Sequence, residues 1–400
     1  MKYLWTLAVL FLSNFLTAQE SENPLFSSFE NYKKAKENTP FQVKWISAGP
    51  VTNSARVEAL QGDPNQPGTM YVAFGSGNLW KTTNNGLDWK PIFENQPTLG
   101  IGDIAIAPSN SEILYLGTGE SLRKNRNFTM PGTGVYRSDD GGETWTHLGL
   151  EETWHIGEIV VHPHNPDIVF VAAMGKFWSE STSKGIYRTI NGGKDWERVL
   201  YINENTRAND IVIAHSNPKI VYASMWENND NANIAESVYG PNSGIYYSSD
   251  GGSTWKRSKT GLPDDPKIGR IGLAVSYQNA QKVYALMDNR NETEGNSAEV
   301  YQSLNGGVTW KKSHNDTLRI FPGNNIGWYF ADIYVSPKND DEIYSLGVRM
   351  AHSKDGGKTF STVGGNIQHL QPSSAQTLHL DHCELWINPF NPNHLALGND

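Results

Sequence analysis

Acids, arginines and tryptophans able to act on a ligand gather in four irregular stretches of this sequence. These are "GTGESLRKNRNFTMPGTG" (117–134), "MGKFWSESTSKG" (174–185), "MWENNDNANIAESVYGPNSG" (225–244) and "MDNRNETEGNSAE" (287–299). Glu120 and Glu227 follow apolar runs at equivalent points. They form a candidate carboxylate pair for acid and base work on a glycosidic bond. The plainer alternative is that each pairs with a nearby arginine or caps its loop. Arg123, Arg126, Trp178, Trp226 and Asp288 complete the chemistry of these stretches, with Arg290 beside Asp288. Shorter segments add Asn53 and Arg56, Trp154 and His155, Arg270, and Trp328 and Tyr329. Aromatic faces stack on sugar rings or on peptide side chains, so both ligand classes fit; the alternative for the tryptophans is an anchor for the loop core.

A second constellation is "HLDHCELW". His379, Asp381 and His382 offer imidazole and carboxylate donors suited to a divalent ion. In an extended strand His379 and Asp381 share a side and His382 faces away. A hydrogen-bonded structural cluster is the alternative. No other cofactor is expected. Cys383 is the one cysteine. It has no internal disulfide partner and reads as a buried apolar thiol rather than a nucleophile.

The elements that must position these groups show themselves by repetition. Six copies of one box occur: "TTNNGLDW", "SDDGGETW", "TINGGKDW", "SSDGGSTW", "SLNGGVTW" and "SKDGGKTF". Their final aromatics fall at positions 89, 145, 196, 255, 310 and 360. Before each box lie two apolar runs separated by a turn, as in "IGDIAIAPSNSEILYLGTGE". Short alternating runs bounded by Pro and Asn read as antiparallel strands. Each unit then has four strands, A to D, with the box as the C–D hairpin turn. Repetition of such a unit predicts an all-β propeller of four-stranded antiparallel blades, six complete and the start of a seventh. The blades fall at about 45–98, 99–152, 153–204, 205–264, 265–322, 323–376 and, in part, 377–400. Residues 19–44 are an N-terminal extension, with a short helix over 27–38.

The box itself reads as architecture. Asp140, Asp250 and Asp355 stand where three other copies carry Asn84, Asn191 and Asn305. An amide makes turn hydrogen bonds but cannot replace a nucleophile or a general base. Strand direction alternates within a blade, so the A–B and C–D turns share one face. Ligand groups are expected on the other, with the B–C loops and the crossovers.

These boxes resemble the Asp-box repeats of sialidases, sortilin-type receptors and xyloglucanase-like glycoside hydrolases. The likeness covers about residues 41–400 and is strongest to secreted bacterial sortilin-like or xyloglucanase-like proteins. It implies a propeller, with the boxes far from the ligand face. Xyloglucanase-like enzymes use two aspartates, the first just after strand B of the first blade. In "YVAFGSGNLWKTT" the matching position is Gly75, so Glu120 or a residue beyond 400 would have to substitute. Such relatives place their site between two propellers, which implies a further C-terminal region of the chain. A sialidase motif is not met: "RIFPG" at Arg319 departs from it. Two functions follow, a propeller that binds a polysaccharide, with or without hydrolysing it, or a non-catalytic sortilin-like propeller for an extracellular protein or peptide.

Composition narrows the field. Charged residues are 19% and aromatics 11%, as in an ordered globular protein. The net charge of −9 argues against nucleic acid, which needs clustered cations. Residues 1–18 read as a signal peptide, with Lys2, an apolar "YLWTLAVLFL" and "LTA" ending at Ala18. That apolar run is too short to span a bilayer, and no other stretch approaches that length. A secreted, periplasmic or cell-surface location is expected.

Overall fold

The computed structural model describes residues 23–40, 56–121, 129–177, 181–228, 238–264, 266–291, 297–314, 318–321, 326–363 and 380–399. Among these residues, six four-stranded antiparallel sheets and one two-stranded sheet follow one another in sequence order. The first strand of each is strand A: Val57–Gly62, Ile101–Ile106, Ile156–Val161, Thr206–Ile213, Ile268–Val275, Ile333–Val335 and His382–Ile387. Strands B and C pair next to it in order, and D lies outermost. Strand D is short, only Lys90–Pro91 in blade 1 and Thr146–His147 in blade 2.

The core is a set of layers between sheets. Tyr71 and Leu79 of blade 1 pack with Ile104, Leu116 and Tyr136 of blade 2. Val135 of blade 2 packs with Ile159 and Val171 of blade 3. Similar layers continue around the ring, to Leu346 of blade 6 against Leu385 of the seventh sheet. A strand A such as Ile101–Ile106 is therefore buried on both faces. The ring closes where Trp386 lies against Gly62 of blade 1. A Cβ on Gly62 would come 2.1 Å from the indole. Cys383 is buried in the layer between blades 5 and 6, as its alternating sequence context predicts.

Helix α1 (Pro24–Asn38) is slightly longer than the 27–38 expected from sequence. Asn23 caps it by accepting from the Leu25 N–H, and Pro24 fits a first-turn position that has no backbone partner. Asn23 also donates to the Gly132 carbonyl, and Phe26 packs edge-on to His147, so the helix is tied to blade 2. No described helix is long and apolar enough to cross a membrane.

Each described box is a closed hydrogen-bonded turn. In blade 2 the Ser138 hydroxyl donates to Asp140 at 2.7 Å and accepts from the Gly142 N–H at 2.8 Å. Gly141 N–H donates to the Glu112 carbonyl in the A–B turn of the same blade. The same bond recurs from Gly192 to Asp167, Gly251 to Lys219, Gly306 to Gln281 and Gly356 to Asp341. A–B and C–D turns therefore share one face, as strand alternation requires.

Register brings five acids to one level of the inner ring. Asp103, Glu158, Asp210 and Glu384 stand on strand A opposite Gly117, Ala172, Ser224 and Gly398 of strand B. Asp332 precedes Ile333 at the equivalent place in blade 6. Blade 1 has Ala59 there and blade 5 has Gly272. Arg270, two residues before Gly272, reaches Asp332 of the next blade at 2.9 Å.

Candidate functional site

On the face opposite the boxes, strand A of blade 1 and the B–C loop of blade 2 bring two carboxyl groups together. Glu58 belongs to Val57–Gly62, and Glu120 follows Leu114–Thr118. Both are buried. They meet over Gly75, just after strand B of blade 1. A Cβ on Gly75 would fall 2.8 Å from Cγ of Glu120 and 3.0 Å from Cγ of Glu58. Any side chain there would displace one of the acids. Glu120 thus fills the space above the position where the resemblance implies the first acid.

The two carboxyl groups have different surroundings. Oε1 of Glu120 lies 3.9 Å from the Arg56 guanidinium, and Oε2 accepts from the Met130 N–H at 3.2 Å. Oε2 of Glu58 accepts from the N–H and the hydroxyl of Ser121. Burial pushes the Glu58 carboxyl well above the usual range, and the neighbouring Glu120 adds to the rise. Ser121 and Arg270 act in the opposite sense. Glu58 escaped the sequence reading because it sits inside an inner strand rather than in a loop. The available signal was a charged residue in the apolar run "RVEAL".

Glu120 is held from behind by a stack of side chains. Nδ1 of His155 lies 2.8 Å from the Glu120 carbonyl and must carry the hydrogen, because a carbonyl only accepts. Burial first, with Arg207 nearby, lowers the His155 pKa to about 3, so the ring is neutral. His155 stacks on Phe177 with ring centres 4.0 Å apart, and the Arg207 guanidinium lies over Phe177 at 4.6 Å. Phe177 packs in turn with Met174, Trp226 and Val238. His155 and Trp226 are therefore loop-core groups, and Trp226 donates from Nε1 to the Val238 carbonyl.

Trp154, adjacent to His155, is a strained residue at φ 56° and ψ −37°. Its carbonyl accepts from the Gly132 N–H at 2.7 Å. That close approach leaves no room for a side chain on Gly119, whose Cβ would lie 2.0 Å from the same oxygen. The Lys176 ammonium stands 5.1 Å over the Trp154 indole and pairs with Glu152 at 3.3 Å. Non-glycine strain of this kind costs about 1–3 kcal/mol and gathers where the surroundings over-determine a position.

The remaining sequence candidates lie elsewhere. Glu227 braces its own loop: Oε2 accepts from Asn242 N–H, and its backbone N–H donates to Ser243. That is its loop-capping alternative. Arg270 ties blade 5 to blade 6 through the Tyr329 carbonyl and Asp332. Asp288 is fully buried between Gly269 and Gly327 and pairs with Arg290 at 3.0 Å. Tyr329 is buried in the layer between blades 5 and 6. Arg270, Asp288 and Tyr329 are buried and Glu227 is half-buried, each with bracing or packing contacts. His382 is fully buried at the start of the seventh strand A, and Asp381 takes a left-handed φ of 67°. Among the described residues, no group of three or more His, Cys, Asp or Glu side chains is arranged to hold a metal ion. His379, Arg123, Arg126, Trp178, Asn53 and the leader 1–18 lie outside the described residues.

Comparison with known proteins follows the same lines. Residues 133–262 and 184–371 match the family model described as Sortilin-Vps10, sortilin, neurotensin receptor 3. Together those spans cover more than half of the chain. The chain is 24% identical over 357 residues to the xyloglucanase Xgh74A of Acetivibrio thermocellus, covering 72% of this chain and 39% of that protein. It thus spans well under half the length of that curated relative. The structure superposes on a GH74 xyloglucanase from Xanthomonas campestris with a TM-score of 0.59 at 16% identity, over 86% of this chain and 51% of the other. It also superposes on YCF48 bound to D1 peptide, with a TM-score of 0.51 at 12% identity, over 86% and 91%. At such identities the structural likeness speaks for fold alone.

Proposed function

The chain belongs to the Sortilin-Vps10 family, and from that premise we propose that it is an exported propeller that binds and hydrolyses a polysaccharide on the face opposite its boxes. It is a propeller related to glycoside hydrolases. The observation that carries the finer reading is Glu120, whose carboxyl group packs over Gly75 beside Glu58. A carboxylate is thereby supplied where the sequence has none. Arg56 and the Met130 N–H give that carboxylate a fixed direction. Trp154, with Lys176 above it, offers an indole and a cation on the same face, suited to a sugar ring and its hydroxyl groups. Export rests on Lys2 and the apolar run that follows it.

The test is a polysaccharide hydrolysis screen on the full-length protein, with Glu120→Gln and Glu227→Gln in parallel. The expected result is loss of cleavage in Glu120→Gln by a factor of about a hundred or more, the scale of one acid–base group, with Glu227→Gln close to wild type. Full activity in Glu120→Gln removes it from the reaction. Absence of cleavage on any glycan, with an extracellular peptide bound instead, replaces the enzyme by the sortilin-like binding alternative.

A further inference from the structure

Glu58 lies where a lone charge is hard to sustain. It is buried in the inner strand of blade 1, and only its Oε2 receives donors, the N–H and hydroxyl of Ser121. Oε1 is buried without a hydrogen-bond partner among the described residues. An ionised carboxylate would leave a charged oxygen desolvated and unsatisfied, whereas a neutral carboxylic acid carries no such charge. Glu120 has the opposite surroundings. A guanidinium faces one of its oxygens and a backbone N–H faces the other, and both favour the charged form. The two side chains crowd the space that a Cβ on Gly75 would take, so they share a small buried volume. Two like charges in such a volume disfavour each other, and the group with no cation against it and one oxygen unsatisfied takes the proton.

We propose that Glu58 is a neutral carboxylic acid that keeps Glu120 as the ionised member of a one-proton pair, so that Glu58 is a positioning residue for Glu120. The inference rests on Glu120 being the functional carboxylate, and it assigns that carboxylate a state. Glu120 enters as a base or nucleophile, and the proton donor of the reaction comes from outside the pair. The groups facing Glu58 are Glu120 and Ser121 of blade 2 and Arg270 of blade 5. Burial and the Glu120 charge raise its proton affinity, and Ser121 and Arg270 oppose them.

The pair is tested on the full chain labelled with ¹³C at the glutamate δ-carbon. Wild type, Glu58→Gln and Glu120→Gln are titrated by NMR, with circular dichroism as the check on folding. The resonance missing from Glu58→Gln is expected to stay in the neutral-acid position at about pH 6, well above the ordinary glutamate value of ~4.3. In Glu120→Gln the same resonance should titrate at lower pH, because the neighbouring charge is gone. If Glu58→Gln fails to fold, that downward shift in Glu120→Gln identifies the resonance by itself. A Glu58 signal that titrates in the ordinary range, or that Glu120→Gln leaves unmoved, overturns the pair. Hydrolysis is read separately. A neutral Glu58 in a protein that cleaves no glycan upholds the pair and removes the enzyme reading. An ionised Glu58 removes the pair whatever the activity.

Discussion

At Asp140 the carboxylate is spent entirely on its own turn. It accepts from the Ser138 hydroxyl, the Thr144 N–H at 2.9 Å and the Thr144 hydroxyl at 2.6 Å. Those bonds, the Thr144 hydroxyl first, lower its pKa to about 2. The Asn copies reverse one of them. Nδ2 of Asn84 donates to Asp88, and Nδ2 of Asn191 donates to Asp195, each at 2.9 Å. Asn305 donates to Thr309 at 2.8 Å. Asp therefore goes with Thr four residues on, while Asn goes with Asp or Thr, because each pair needs one donor. Asn84→Asp sets two carboxylates against each other and should cost about 1 kcal/mol at neutral pH, the worth of the lost hydrogen bond. Adding Asp88→Thr should restore it, and lowering the pH to about 4 should shrink the loss, since protonation supplies a donor. Urea unfolding of the single and double variants decides. An unrescued double variant would mean that the pairing rule is not what holds the turn. Asp140→Asn should be close to neutral, because Asn305 already shows an amide opposite threonine.

Between blades the limit is backbone against backbone. A Cβ on Gly102 would lie 2.0 Å from the Ile156 carbonyl and 2.7 Å from the Gly119 carbonyl. Neither can move without shifting a strand, so Gly102→Ala should cost about 1–3 kcal/mol through overpacking. Gly251 has a left-handed φ of 71° and nothing within 4 Å of its Cβ. Gly251→Ala should cost about 1 kcal/mol from φ alone. Thermal unfolding of both separates crowding from backbone strain, and an equal loss in the two would show that Gly102 is not pinned by its neighbour. Strands A to C and the box turns were legible in the sequence, because alternation and a fixed turn motif are local signals. Strand D of blade 2 is regular only over Thr146–His147, but its backbone stays paired with Val135 of strand C through Leu148 and Gly149. Glu58 and the crowding at Gly75 were not legible. They arise where an inner strand of blade 1 meets a loop of blade 2, which no local period encodes.

Across the whole molecule the inner ring sets the response to pH. "GDI", "GEI", "NDI", "ADI" and "CEL" stand in the sequence, but only the strand register shows that their acids face one another. Burial raises Asp103 to about 8 and Asp210 to about 7, and it raises Glu158 well above the usual range with Asp103 and Asp210 adding to the rise. Asp103 also bridges blades, since its Oδ2 accepts from the Ile159 N–H at 2.7 Å, and Asp210 does the same for Leu273. The sign follows from proton binding. These folded-state values exceed the unfolded aspartate value of ~3.9, so the folded protein holds protons that the unfolded chain has released. Stability from these groups is complete below about pH 4 and is lost as the pH rises to about 8. The box aspartates act in the reverse sense, because their folded values are depressed, and their contribution fades as the pH falls from about 4 to about 2. The two trends together place maximal stability at weakly acid pH, with a long decline toward neutrality. Asp103→Asn keeps an oxygen for the Ile159 N–H and removes the titration. Its unfolding temperature should therefore fall less steeply between about pH 5 and 8 than that of the wild type, with the two curves closest at the acid end. Parallel curves over that range would show that Asp103 is ionised in the folded ring and holds no proton that the unfolded chain releases.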